Sequence, residues 1–346
     1  MNDLLLLKIN KSLTCYYEEL LRSVESDRGI IGEYFAELSD HSPRLLCQTR
    51  TIFFLVKYHE IFNENKSLEL AQKIYKNTRK LYKAEESWYM QAGKDEPLDL
   101  YGFASLAYSE VLLFQATGSK EIAKYSEETL SYLTNIILDD DFDIQSSLYQ
   151  NRISQNPLMH LFESFVFAYE VLHNEIYKDA ATKILDIVYQ NFYNAEVGAI
   201  MEMSFEEDLA YWYEPGHSFE WGSLLKIAES QQVSHEIINA VNLVGVAEKV
   251  TENFGQIVPA KVKIPGNEIE STFRIWASLE RVRVHFMLEN FELANSGLEE
   301  ALNKFFDNNN LPKEFLDMAA TKVKSTSGYH IINCLQEAIK WCETTS

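Results

Sequence analysis

The sequence predicts an all-α protein with an (α/α)6 barrel, in which six helical hairpins form an inner and an outer ring of helices. Three observations support this fold class. Helical periodicity dominates the chain, and continuous β-patterns are scarce. The predicted helices form pairs that repeat about every 57 residues. Within most pairs one helix is apolar on most faces, whereas the other carries a single apolar stripe.

Twelve helices are predicted from the periodicity and from residues that start or stop helices. Pro43, Pro157 and Pro215 stand where a first-turn proline is tolerated, and Gly118 ends a helix. The predicted intervals are 3–24, 43–62, 66–86, 98–117, 119–137, 157–174, 176–194, 216–230, 234–252, 269–287, 290–308 and 329–343.

The even-numbered helices reveal the repeat, because their starts are evenly spaced. They begin at Pro43, Asp99, Pro157, Pro215, Thr272 and Tyr329. Residues 162–169 show their apolar character, which predicts burial, whereas 121–133 show the amphipathic pattern of an outer layer. An open solenoid of helix pairs is the alternative architecture. We favour the closed barrel because common open arrays have shorter repeats and do not need inner helices this apolar.

The longest connections precede the inner helices and should emerge at one end of the barrel. Loops of this length in a compact domain usually carry function. Short β-hairpins are expected within two of them, around 198–203 and 257–264. No linker or low-complexity segment divides the chain, so we predict a single domain over 1–346. The connections are 87–97, 138–156, 195–214, 253–268 and 309–328.

Composition limits the classes of function. The chain has 346 residues, 46% of them hydrophobic, which is enough for a sizeable core. A net charge of −21 argues against nucleic acid or an anionic membrane as a partner. No signal peptide and no membrane span are predicted. We expect a cytoplasmic protein with reduced thiols, because metal-ligand spacing is missing from Cys15, Cys47, Cys334 and Cys342.

The clearest candidate for chemistry is the start of the eighth helix. Pro215 and Gly216 break the preceding structure, which places His217 and Glu220 in the first helical turn on one face. A histidine titrates near neutral pH and is therefore a candidate acid/base group. The structural alternative is a histidine that caps the helix and a glutamate that favours its positive end.

Other polar residues occupy similar places in the inner helices. Any one of them is more readily structural than catalytic, but together they present Arg or His at one mouth of the barrel. Metal-ligand spacing and a Gly-rich phosphate loop are both missing, so no metal or cofactor is predicted. The residues are Arg50 in the first inner helix, Asn156, His160 and Glu163 in the third, Trp276 and Glu280 in the fifth, and His330 in the sixth.

Two motifs and a later dipeptide resemble a known family. Residues 156–163 read Asn-Pro-Leu-Met-His-Leu-Phe-Glu, residues 214–221 read Glu-Pro-Gly-His-Ser-Phe-Glu-Trp, and Tyr329-His330 follows late in the chain. These resemble signatures of the N-acylglucosamine 2-epimerase superfamily, whose members are (α/α)6-barrel sugar epimerases and aldose–ketose isomerases. The second motif is most similar to the mannose and sulfoquinovose isomerase branch. The resemblance extends from Arg50 to His330.

The resemblance implies a reaction in which a proton moves between C2 and C1 of an opened sugar through a cis-enediolate. It makes His217 the base, His330 an acid/base in ring opening or a second proton carrier, and Arg50 the group that stabilises the enediolate oxygen. No metal or nucleotide is required.

The remaining site residues would bind or position the sugar. By resemblance, His160 binds substrate hydroxyls, Glu220 binds a hydroxyl or orients the site, and Glu163 and Glu280 hold other groups in place. Asn156 and Trp276 complete the expected binding set. The expected partner is a small-molecule sugar, and we allow for a homodimer.

Three functions remain open at this point. The first is an isomerase of an unphosphorylated hexose such as mannose. The second is a sugar 2-epimerase, which must deliver a proton to both faces of C2. The third is a glycoside hydrolase or a sugar-binding barrel without catalysis. A hydrolase needs two opposed carboxylates, and no Asp pair occupies the starts of the inner helices.

Overall fold

The computed structural model describes residues 2–35, 42–85, 87–149, 152–205, 211–264, 268–317 and 323–344. Its twelve α-helices are α1 Asn2–Ser23, α2 Leu45–Phe62, α3 Asn65–Tyr82, α4 Leu100–Thr117, α5 Lys120–Ile137, α6 Gln155–Leu172, α7 Glu175–Phe192, α8 Pro215–Glu229, α9 Ala240–Thr251, α10 Ile275–Met287, α11 Phe291–Lys304 and α12 Gly328–Thr344.

Short β-strands occupy the connections between helices. They are β1 Leu148–Tyr149, β2 Arg152–Ile153, β3 Tyr193–Asn194, β4 Ala199–Ile200, β5 Tyr211–Tyr213, β6 Pro259–Ile264 and β7 Ile269–Phe273. The first four form two antiparallel pairs, and β5, β6 and β7 form one antiparallel sheet in that order. Hairpins were predicted around 198–203 and 257–264. Strands do form there, but each pairs with residues outside the predicted interval.

Ten of the twelve helices begin within about two residues of the predicted positions, as local signals allow. Pro215 is the first residue of α8, and Pro157 lies in the first turn of α6. Pro43, in contrast, precedes α2 rather than lying in it. Gly118 ends α4 with a left-handed φ of 63°, which suits glycine.

The predicted starts of the ninth and tenth helices, at 234 and 269, are wrong. Asn239 caps α9 by accepting a hydrogen bond from the Asn242 amide, so the helix begins at 240. The residues before it form a turn in which the His235 Nδ1 accepts two backbone amides. Residues 269–273 pair with β6 instead of extending α10.

One compact unit comprises residues 1–98 and 274–346. In it, α2 and α10 both pack against α12. In addition, α3 packs against α2, α11 against α10 and α1 against α12. The difference between the two layers is clear in α10 and α11. Twelve residues of α10 are buried, against five of the longer α11. A helix that is buried on all sides is thus paired with an amphipathic one.

The second compact unit comprises residues 99–273. Here α6 packs between α4 and α8. In the second layer α5 packs against α4, α7 against α6 and α9 against α8. The sheet strand β6 contacts α8. A small apolar cluster lies on one face of the sheet and contains Ala199, Met201, Tyr213 and Val262. This cluster fixes the segments on either side of the start of α8. The single domain predicted over 1–346 stays a prediction.

Among the described residues, no helix has both the length and the hydrophobicity needed to cross a bilayer.

Candidate active site

In the unit of residues 99–273, His217 lies in the first turn of α8 and is held by a carboxylate. Its Nδ1 is 2.7 Å from the Glu202 Oε1 and 3.8 Å from the Glu214 Oε2. Glu202 is buried, and its backbone amide donates to the Trp212 carbonyl of β5 at 2.9 Å. The loop that follows β4 therefore positions the carboxylate that orients the ring.

Gln155, at the start of α6, completes the contacts on this side of the histidine. Its Nε2 donates to both carboxylate oxygens of Glu202, at 3.4 and 3.2 Å, and lies 3.3 Å from the His217 Nδ1. Its Oε1 accepts a hydrogen bond from the Trp221 indole at 2.7 Å. The side chains of Gln155 and Trp221 are fully buried.

The charges around His217 decide its protonation. Burial alone lowers the pKa of the imidazole, but the carboxylates of Glu202, Glu214 and Glu220 raise that pKa to about 9. The ring is therefore mainly an imidazolium at neutral pH. A carboxylate can only accept, so the His217 Nδ1–H donates to Glu202.

His160 and Glu163 form a second buried pair in this unit. The His160 Nδ1 lies 3.2 Å from the Glu163 Oε2, one turn further along α6, and the Tyr101 ring packs 4.8 Å from the imidazole. Asn156 lies half-buried in the first turn of the same helix. Its Oδ1 is buried and has no hydrogen-bond partner within the described ranges.

In the unit of residues 1–98 and 274–346, His330 lies in the first turn of α12. Its Nδ1 is 2.7 Å from the Glu280 Oε1 of α10, and its Nε2 is 2.9 Å from the Arg50 Nη1 of α2. The Trp276 ring packs 5.6 Å from the imidazole, and the Arg50 guanidinium lies 4.3 Å from the centre of the Tyr329 ring. Three helices thus bring these side chains together.

The donors around His330 define its tautomer. A guanidinium can only donate, so the Nε2 of His330 accepts from Arg50, and the ring hydrogen lies on Nδ1 and is donated to Glu280. The buried carboxyl of Glu280 also accepts from the Arg283 Nη1 at 3.2 Å. Burial alone raises the pKa of Glu280, but Arg283 and His330 lower it below its usual value. His330 is thus a neutral imidazole beside a carboxylate.

Three side chains whose atoms could bind a metal lie close together at His217, and the spacing of these residues in the sequence did not predict this group. Atoms of Glu202, Glu214 and His217 lie within 4.8 Å of one another. The 2.7 Å between His217 and Glu202 is a hydrogen-bond distance, whereas two ligands of a tetrahedral zinc lie about 3.4 Å apart. The described geometry is therefore that of an ion-paired histidine. The absence of a metal from the reaction stays a prediction.

The predicted residues are divided between the two compact units. Asn156, His160, Glu163, His217 and Glu220 belong to 99–273, whereas Arg50, Trp276, Glu280 and His330 belong to the other unit. Glu163 contacts His160 and Glu280 contacts His330, and the supporting role assigned to both glutamates stays a prediction.

Sequence reasoning missed Gln155, Glu202 and Arg283. Glu202 was detectable as an acidic residue inside the apolar run 199–203, and Arg283 as a cation one turn after Glu280. Gln155 gave no such signal, because its role depends on Glu202 and Trp221.

The family model for N-acylglucosamine 2-epimerase (GlcNAc 2-epimerase) matches residues 35–308. The chain belongs to the N-acylglucosamine 2-epimerase family. This confirms the relationship predicted from the motifs, and the protein is thus an enzyme of a superfamily of sugar epimerases and isomerases. A search of the curated proteins found no match.

Solved structures share the fold of this family member along nearly its whole length. Cellobiose 2-epimerase from Spirochaeta thermophila DSM 6192 is 14% identical, with a TM-score of 0.81 and 98% of each chain covered. A D-mannose isomerase is 16% identical, with a TM-score of 0.81, covering 99% of this chain and 98% of its own. The GH76A α-1,6-mannanase from Salegentibacter sp. HEL1_6 is 9% identical, with a TM-score of 0.66, covering 98% and 99%. These likenesses confirm the predicted (α/α)6 barrel.

Proposed function

We propose that the protein is an isomerase that interconverts an unphosphorylated aldose and ketose, of the mannose–fructose type. The observation that carries this proposal is His217, a mostly buried imidazole oriented by Glu202 at the start of α8. Membership of a sugar epimerase and isomerase superfamily supports a proton transfer at a sugar carbon. An oriented imidazole is the group that such a transfer needs.

The reaction starts from the open-chain aldose. The Nε2 of neutral His217 removes the C2 proton, the electron pair of that bond forms the C1=C2 double bond, and the negative charge moves to O1. Return of the proton to C1, with movement of the O2 hydroxyl proton to O1, gives the ketose. The Nδ1–H bond to Glu202 stabilises the imidazolium that forms.

Arg50 and His330 act on the sugar oxygens in this proposal. A guanidinium keeps its positive charge at all relevant pH values, so Arg50 stabilises the oxyanion of the cis-enediolate. His330 carries its hydrogen on Nδ1, so its Nε2 takes the anomeric hydroxyl proton during ring opening once Arg50 has turned from Nε2 to the sugar oxygen. Glu280 then balances the positive charge on the ring.

The other residues bind and position the sugar. We assign hydroxyl binding to His160, Asn156 and Glu220, and packing against the sugar ring to Trp276. Glu163 orients His160 through its 3.2 Å contact. Sugar hydroxyls both donate and accept, so this mixture of an amide, an imidazole and a carboxylate matches their requirements.

The second candidate is a sugar 2-epimerase, favoured by the name of the matching family. An epimerase returns the proton to C2 from the opposite face, which needs a second proton carrier across that carbon. His330 would have to take this role. A glycoside hydrolase needs two opposed carboxylates, and it is disfavoured because Glu202 is engaged with His217, and Glu280 with His330 and Arg283.

Product analysis on mannose tests the proposal. The protein is incubated with a panel of unphosphorylated aldoses and ketoses, including mannose, and the products are separated by chromatography. Fructose without glucose supports the isomerase, whereas glucose formed from mannose supports the epimerase. If the intact protein converts none of these sugars, or releases a monosaccharide from a glycoside, the proposal is wrong. The His217→Asn variant is the control for a contaminating isomerase.

A further inference from the structure

A buried chain of hydrogen bonds leads from Trp221 to His217. The Trp221 Nε1–H donates to the Gln155 Oε1 at 2.7 Å, and the Gln155 Nε2 donates to the Glu202 oxygens at 3.2 and 3.4 Å. The Glu202 Oε1 in turn accepts the His217 Nδ1–H at 2.7 Å. All four side chains belong to the unit of residues 99–273.

The indole fixes which way the Gln155 amide faces. An indole N–H can only donate, so the atom opposite it must be the amide oxygen. The amide nitrogen then faces Glu202 and His217, and an amide nitrogen can only donate. Gln155 cannot accept the His217 hydrogen across the 3.3 Å between their nitrogens, so that hydrogen has Glu202 as its acceptor.

Burial makes a wrong orientation costly. Gln155 and Trp221 are fully buried, and Glu202 is 3% exposed, so water does not replace a lost partner. A flipped amide would place its oxygen against the Glu202 carboxylate and its nitrogen against the indole N–H. Both contacts would then be repulsive, and two buried donors would lose their acceptors.

The backbone holds the same groups in register. The backbone N–H of Gln155 donates to the backbone carbonyl of Glu202 at 3.2 Å, and the Ser154 side chain caps α6 directly before Gln155. Trp221 and His217 lie on α8, four residues apart. The chain of hydrogen bonds therefore joins the starts of α6 and α8 through the loop that carries Glu202.

We propose that Gln155 and Trp221 are positioning residues that orient Glu202 and thereby hold the His217 hydrogen on Nδ1 and its Nε2 toward the reacting carbon. The proposal deepens the proposed function, because it assumes that the Nε2 of His217 carries the proton. The charged groups that face His217 are Glu202, Glu214 and Glu220, and Gln155 is the neutral donor placed among them.

The first test removes the indole donor and keeps the aromatic bulk. In Trp221→Phe the Gln155 amide loses the group that fixes its orientation. We expect kcat on the best sugar to fall on the order of 10-fold to 100-fold, with KM changed less than about twofold, since the defect lies in the position of the base. Gln155→Met removes the amide at similar length and should lower kcat at least as much.

A matched control separates this effect from packing. The Phe162 ring lies 5.4 Å from the Trp221 ring, and its side chain has no polar atom in the hydrogen-bond chain. Phe162→Leu should lower the free energy of unfolding but leave kcat within about threefold of the natural protein. A fall in kcat in Phe162→Leu equal to that in Trp221→Phe would overturn the positioning role.

The second test does not depend on sugar turnover. In the free protein, the Nδ1–H of His217 should give a slowly exchanging ring N–H signal in ¹⁵N-edited NMR, assigned by its loss in His217→Asn. The signal should broaden or disappear in Trp221→Phe and in Gln155→Met, and remain in Phe162→Leu. If the signal persists unchanged in Trp221→Phe and in Gln155→Met, the proposal is wrong. If the proposed function fails but the signal responds, only the reaction needs reassignment.

Discussion

At the residue scale, two histidines share one arrangement but differ in charge. Each carries its hydrogen on Nδ1 and donates it to a buried glutamate at 2.7 Å. His217 is surrounded by three carboxylates, which favour the imidazolium. His330 accepts from Arg50 on its other nitrogen, which holds it neutral. At neutral pH His217 is thus mainly protonated and must lose a proton before it can act as a base, whereas His330 is neutral.

The pH dependence of kcat/KM should report the titration of His217. Only neutral His217 can act as the base, and its pKa is raised to about 9. We therefore expect kcat/KM to rise about tenfold per pH unit between pH 7 and 8.5 and to level off above the pKa. The measurement is a series of initial rates across this range on the best sugar.

Glu214→Gln is the control for this profile. It removes a carboxylate 3.8 Å from the His217 Nδ1, so the pKa of the ring should fall and the rise in kcat/KM should move to lower pH. A flat profile between pH 7 and 9, or a profile that Glu214→Gln leaves in place, would argue against His217 as the base.

At the element scale, Glu314 joins the segments that precede α10 and α12. Its carboxylate accepts from the Arg274 Nε at 3.0 Å and from the Ser327 Oγ at 2.9 Å, and the Lys324 Nζ lies 3.6 Å away. Its carbonyl accepts the Ile275 amide at 3.1 Å. One buried residue thus anchors the starts of the helices that carry Trp276 and His330.

Replacing Glu314 should destabilise the protein. We expect Glu314→Gln to lower the free energy of unfolding by about 1–3 kcal/mol, less than for a fully buried ion pair because Arg274 is partly exposed. Denaturant unfolding of the two proteins measures this change. Glu300→Gln, which removes a largely exposed ion pair with Lys304, is the control and should change stability by less than about 0.5 kcal/mol.

The effect of Glu314 should also depend on pH. Burial alone raises its pKa, but Lys324 and Arg274 lower it below the usual carboxyl value. A lowered pKa means that the stabilising contribution is present above the pKa of the unfolded carboxyl and is lost as the pH falls. The difference between the natural protein and Glu314→Gln should therefore shrink in acid. A constant difference from pH 7 to 3 would contradict this assignment.

At the scale of the whole molecule, the central prediction is that His217 and His330 serve one sugar. Each single replacement by Asn should lower turnover on the order of 10²-fold to 10⁴-fold. If both act in one reaction, the double replacement should cost far less than the product of the two losses. Rates of the two single variants and the double variant on one aldose give the answer. Fully multiplicative losses, or a harmless His330→Asn, would contradict the prediction.

A second prediction at this scale concerns metal. We expect activity to survive exhaustive treatment with EDTA, because the His217 Nδ1 lies at hydrogen-bond distance from Glu202 rather than at the spacing of two metal ligands. The measurement compares initial rates before chelation, after chelation and after divalent ions are added back. Activity lost to the chelator and restored by one metal would replace the proposed mechanism with one based on that metal.

The sequence by itself determined the helices, their pairing into hairpins and the family. These features depend on local patterns: the 3.6-residue period of apolar positions, first-turn prolines such as Pro215, and short motifs such as 214–221. Such signals lie within one or two turns of the residues they describe. For the same reason the sequence identified His217 and His330 as chemical candidates, since each stands in the first turn of an apolar helix.

Only the tertiary structure decided what these histidines contact. Glu202 lies 15 residues before His217, Gln155 lies 62 residues before it, and the partners of His330 lie 50 and 280 residues away. The late start of α10 has the same origin, because 269–273 form a strand only by pairing with β6. Hydrogen bonds between distant segments leave no periodicity in the sequence, so the protonation and orientation of the site are fixed only once the chain has folded.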